Sequence, residues 1–201
     1  MGRTGDGAEL NQPSPSPTAP SGSTHAARHR RERLPVGDVR HGRPLLRLHQ
    51  ATEGRSYVNS RLSAQTKHGR DAGLVVGFYH FLWPGDVTAQ AEYFLSHAPE
   101  RAGDILAVDW ERTAEGTHAT NAEKDQFIRK VKALRPHNRV ILYTNRDFWL
   151  NVDTTSYAGD GLWIADYVSA GHPRIKAKWR FHQYTDEPHD QNVADFPGKA
   201  A

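Results

Sequence analysis

From Leu45 onward, short apolar runs alternate with stretches of helical periodicity. The runs predict strands at residues 45–49, 74–81, 105–110, 140–144, 162–165 and 179–184. Between the early runs lie helices with readable ends. Asp86 is placed to cap a helix whose Val87, Ala91, Phe94, Leu95 and Ala98 share one face, and Pro99 follows. Thr120 and Glu123 have the spacing of a capping box, ahead of a stripe of Phe127, Ile128, Val131 and Leu134 that Pro136 stops. The helix after Asn59 has a thinner stripe of Leu62, Thr66 and Gly69, with Gly73 at its end.

Strands that alternate with helices imply βαβ units and a parallel sheet. The later strands are too close together for full helices between them, so the pattern predicts an irregular, TIM-like α/β barrel. No glycine fingerprint of the dinucleotide or P-loop kind follows any strand. The start of the chain reads differently. Residues 1–34 hold a Pro/Ser alternation (Pro13 to Pro17) and an Arg/His cluster (Arg28 to Arg33), and are expected to form a disordered tail. Residues 35–201 are expected to form the barrel.

Composition narrows the chemistry. Hydrophobic residues make up 37% of the 201, which fits a chain that is packed only in part. There is no cysteine, so disulfides, thiolate nucleophiles and cysteine-ligated zinc are excluded. The net charge of +3 demands no nucleic acid, and a solvated tail accounts for the Arg cluster. No apolar run is long enough to span a membrane, and the Met1 end lacks the apolar segment of a secretory signal. The twelve histidines form no HExxH, and no serine sits in a GxSxG elbow. No metal or other cofactor is expected.

Functional side chains of parallel α/β barrels gather at the C-terminal ends of strands. The apolar run 105–108 ends in Asp109-Trp110-Glu111, and residues two apart on a strand point the same way. Asp109 and Glu111 are therefore expected to project together. Neighbouring carboxylates tend to hold one proton between them. One can act as an acid while the other stabilises positive charge, which is the division of labour that glycosidic cleavage needs. Strand-end acids in salt bridges or helix caps would have the same spacing. Aromatics recur near strand ends (Tyr79, Phe81, Tyr143, Trp163, Tyr167, Trp179, Tyr184) beside Asp109, Asp166, Asp186 and Asp190. Each could be core, but together they suit the apolar faces of sugar rings.

These residues carry a resemblance. The segments 51–54 with 57–59, 72–81, Asp109-Trp110-Glu111, 142–145, 162–167, 183–185 and 190–192 resemble, in order, those of glycoside hydrolase family 25 lysozymes. The resemblance covers 51–196. It implies that Glu111 is the general acid, that Asp109 orients the substrate's N-acetyl group and that Asp190 is a further cleft acid. It also implies that Tyr79, Phe81, Tyr143, Trp163, Asp166 and Tyr184 line sugar subsites. The expected substrate is peptidoglycan, cut between N-acetylmuramic acid and N-acetylglucosamine by a monomer acting at the cell wall or outside the cell.

The family opens with an Asp-Val-Ser strand that supplies an active-site Asp. Here the upstream Asp38-Val39 leaves too little chain for that strand, a helix and another strand before Ala51. Arg43, Arg47 and His49 also stand where a buried strand should be apolar, and Gln50 where the family has Lys. The expectation is a barrel without its first strand, with two unpaired edges. A catalytically impaired, glycan-binding remnant is the alternative reading.

Overall fold

The computed structural model describes residues 36–38, 44–187 and 190–195. The segment 1–34, expected to be a disordered tail, and Arg43 lie outside the described residues. The strands are β1 Val36–Asp38, β2 Pro44–Glu53, β3 Tyr57–Val58, β4 Val75–Phe81, β5 Ile105–Asp109, β6 Arg139–Asn145, β7 Leu162–Ala165, β8 Phe181–Thr185 and β9 Gln191–Ala194. The α-helices are α1 Leu62–Asp71, α2 Val87–His97 and α3 Asn121–Leu134, and a short π-helix, Phe148–Val152, follows β6.

The fold is mixed α/β around one curled sheet ordered β1-β9-β8-β7-β6-β5-β4-β2-β3. From β2 through β4, β5, β6 and β7 to β8 every pairing is parallel, and β9 returns antiparallel to β8. Strand β1 pairs with β9 on one side and with β2 on the other. This corrects the expectation of two unpaired edges at the missing first strand, because three residues fill that place. They run against β2, with Val36 opposite Leu46 and Gly37 opposite Pro44. Asp38 thus stands at the end of the sheet where β2 begins, opposite to the end where β5 delivers Asp109.

The two faces of the sheet separate two cores. Outward-facing Val76, Phe78, Leu106, Val108, Leu142 and Ile164 pack with Phe94 of α2 and Phe127, Ile128 and Val131 of α3. Inward-facing Leu46, Leu48, Tyr79, Ala107, Ile141, Tyr143, Trp163 and Phe181 form the second cluster. This is the period-2 alternation of a sheet buried on both faces. Gly77 on β4 has to lack a side chain, because a Cβ there would lie 2.7 Å from the Ile105 carbonyl and against Leu48 Cδ2.

The helix ends follow the sequence. Asp86 accepts a hydrogen bond from the Ala89 N–H, and Thr120 with Glu123 closes a capping box. Leu62, Thr66 and Gly69 are the buried face of α1. Leu134, however, is 45% exposed, and Lys124 is as fully buried as Phe127, Ile128 and Val131. The Lys124 ammonium donates to Asp153 Oδ2 (3.0 Å), Thr155 Oγ1 (2.9 Å) and the Tyr157 carbonyl (3.0 Å), and it lies 5.1 Å from the Trp110 ring centroid. Burial of that cation requires this many partners.

Candidate active site

The register of the parallel ladder sets one row of neighbouring residues on the inner face. Glu53 pairs with Phe81, Phe81 with Asp109, Asp109 with Tyr143, Tyr143 with Trp163, and Trp163 with Phe181. Phe81, Asp109, Tyr143 and Trp163, each singled out in the sequence, therefore lie side by side, with Phe81 and Asp109 the last residues of their strands. Tyr79 lies on the same face two residues further back along β4 and is 5% exposed. Tyr143 and Trp163 meet edge to face with ring centroids 4.7 Å apart.

Glu111 lies just past the end of β5. Its Oε1 accepts a hydrogen bond from Asn145 Nδ2 at 3.3 Å. Asn145 is itself fixed, since its Oδ1 accepts from the Phe148 N–H at 2.9 Å. Between the two acids, Trp110 turns outward and is fully buried, with its indole N–H donating to the Ala119 carbonyl at 2.7 Å. Its own carbonyl accepts from Thr144 Oγ1 at 2.8 Å. The strand end that carries both carboxylates is therefore clamped from α3, the loop before it and β6.

Asp190 precedes β9 by one residue and is 4% exposed. Because β9 runs antiparallel to β8, its start lies at the same end of the sheet as the end of β5. Two residues on, Asn192 Oδ1 accepts from Trp163 Nε1 at 2.8 Å, which ties β9 to the aromatic row. Asp109, Glu111 and Asp190 thus lie at the same end of the sheet.

Two expected site residues are not part of that group. Asp166 follows the inward Ala165 and belongs to the outer side, where Arg174 takes both of its oxygens at 2.6 and 3.1 Å. The Arg174 hydrogen bonds hold its carboxyl below the usual carboxylate range. Tyr184 neighbours the inward Gln183, and its ring lies by His182, on the outer side. Its hydroxyl donates to Gln191 Oε1 at 2.6 Å.

One carboxylate escaped the sequence reading. Glu53 joins the inner row because β2 carries a bulge between Gln50 and Thr52. That extra residue reverses the alternation, so Gln50 and Glu53 share the inner face although three positions separate them. Trp83 Nε1 donates to Glu53 Oε1 at 2.9 Å. The only trace in the sequence was the Ala51-Thr52-Glu53-Gly54 segment, which assigned Glu53 no role.

His80 faces away from Tyr79 and Phe81, as the alternation of β4 requires. It is fully buried and stacks on Phe127 with centroids 4.9 Å apart. Its Nδ1 lies 2.8 Å from Thr52 Oγ1 and its Nε2 3.2 Å from Gln90 Oε1. Burial pushes its pKa down to about 4. Among the described residues no group of three or more His, Cys, Asp or Glu is arranged to hold a metal ion.

Comparison with known proteins bears on what this end of the sheet does. The family model for glycosyl hydrolases family 25 matches residues 47–193. The Lysozyme M1 of Streptomyces globisporus is 30% identical over 159 residues, covering 68% of this chain and 52% of that protein. The autolytic lysozyme of Clostridium acetobutylicum is 30% identical over 143 residues, covering 68% of this chain and 42% of that protein. The chain therefore spans about half the length of the curated relatives it matches. Among solved structures, the muramidase from Acremonium alcalophilum superposes with a TM-score of 0.64 at 26% identity, covering 78% of this chain and 84% of that one.

Proposed function

The chain belongs to glycosyl hydrolases family 25, and from that premise we propose that it is a muramidase. In this reading it hydrolyses the β-1,4 bond from N-acetylmuramic acid to N-acetylglucosamine in peptidoglycan. The observation that carries the proposal is the inner row Phe81–Asp109–Tyr143–Trp163, with Glu111 held by Asn145 beside it.

Glu111 gives its proton to the glycosidic oxygen as the bond to the anomeric carbon breaks. Asp109 orients the acetamido group, whose carbonyl oxygen attacks that carbon and closes an oxazolinium ring. Water then opens the ring and returns a proton to Glu111. Asp190 adds negative charge beside the cationic centre, and the aromatic rings give the sugars apolar faces to rest on. Residues 35–201 would form this catalytic unit, a TIM-like barrel working as a monomer on glycan strands, with 1–34 as an appended tail.

One observation favours a second reading, a glycan-binding remnant that no longer cleaves. The direction of β1 puts Asp38 at the far end of the sheet, so it cannot stand in for the acid of the family's opening strand. Release of muropeptides from purified peptidoglycan, with Glu111→Gln alongside, separates the two. New N-acetylmuramic acid reducing ends that vanish in the variant support the muramidase. A folded chain that binds peptidoglycan and releases nothing overturns it in favour of the remnant.

A further inference from the structure

The link from β7 to β8, residues 166–180, contains no helix and runs along the outside of the sheet from the end bearing the acids back to the opposite end. From residue 171 to 180 its burial alternates strictly. Ile175, Ala177 and Trp179 pack onto the outer core. His172, Arg174, Lys176, Lys178 and Arg180 are exposed. At its upper end Arg174 and Arg146 share one carboxylate, that of Asp166, at 2.6 and 4.0 Å. Among the described residues no ion pair takes up Lys176, Lys178 or Arg180. The apolar side of the strap fixes it in place, so these cations form a preset line of positive charge. Arg146 directly follows Asn145, the residue that holds Glu111, so the line begins beside the candidate active site.

We propose that this strap binds a phosphodiester-linked anionic polymer carried on the wall glycan, guiding the enzyme along walls that bear it. The inference rests on the glycan-binding reading above. A linear polyanion matches a line of unpaired cations better than a compact acidic ligand does. The start of the strap at the end of the sheet that bears the acids favours a polymer hanging from the sugar chain there over a separate nucleic acid.

The test is cosedimentation of the full chain with sacculi of a polymer-bearing wall and with the same sacculi stripped by hydrofluoric acid. It is run in the Glu111→Gln background, which should leave the glycan uncut. Neutralising three phosphates gives a salt exponent of about 2, so binding to untreated sacculi should weaken about 20-fold between roughly 50 and 200 mM salt. Lys176→Gln/Lys178→Gln/Arg180→Gln should lose that preference and match the parent on stripped sacculi. Lys176→Arg/Lys178→Arg/Arg180→Lys should keep it. Equal binding of parent and Gln variant to untreated sacculi overturns the proposal. So does parent binding to duplex DNA as tight as to untreated sacculi. Because the readout is a difference in sedimentation, a failure to release muropeptides would sink the muramidase reading and leave this one standing or falling by itself.

Discussion

His80 lies behind the aromatic row, and its titration links acid stability to the packing that holds Tyr79 and Phe81 inward. In the folded chain its pKa is about 4, against 6.5 for the free side chain, because the imidazole is fully buried between β4 and α3. Above pH 6.5 both states are neutral and the residue adds no pH dependence. As pH falls through 6.5 the unfolded chain takes up a proton that the folded chain refuses, so stability falls. The loss levels off near pH 4, where the folded state also protonates. The full difference of about 2.5 units corresponds to about 3 kcal/mol. At pH 5 the loss is already about 2 kcal/mol relative to pH 7.5. Urea unfolding of wild type and His80→Gln between these two pH values measures it. The variant loses the ring stacking and is less stable throughout, but its pH slope should be shallower by about 2 kcal/mol across the window. His182, whose pKa burial also lowers, leaves a residual slope of the same sign in both proteins. Equal slopes in wild type and variant would refute the reasoning, since the imidazole would then be protonated in the fold or reached by water.

Lys124→Met leaves Asp125 and Asp153 buried without their shared cation, and should cost about 3–5 kcal/mol in chemical unfolding. It should also lower muropeptide release, because the same ammonium lies against Trp110, between the two acids. Unchanged stability would mean that the pair is hydrated. Gly77→Ala should destabilise by about 1–3 kcal/mol, since its methyl would meet the Ile105 carbonyl and Leu48. A thermal midpoint equal to that of wild type would contradict the close approach of β2, β4 and β5.

Much of the fold was legible because its signals are local. The caps at Asp86 and Thr120 needed only the residues within one turn. The alternation in 74–81 and 105–110 sufficed to send Tyr79, Phe81 and Asp109 to one side and His80 and Trp110 to the other. The stripe read for α3 missed at its end, where Leu134 is exposed, and it left out Lys124, which sits on the same face but is a cation. The burial of Lys124 depends on Asp153, Thr155 and Tyr157, some thirty residues away.

The sequence by itself determined the alternation of strands and helices, the pairing of Asp109 with Glu111 at a strand end and the apolar stripes of α2 and α3. Each is a period or a cap, set by neighbours along the chain. Tertiary structure alone decided that Glu53 joins the inner row and that Asp38 lies at the end of the sheet opposite to Asp109. A bulge in β2 reverses which side chains face inward, and only its hydrogen bonding to β4 reveals it. The direction of β1 was fixed by the strands on either side of it. Those partners are distant in sequence or, like the direction of a pairing, leave no period in the chain to be read.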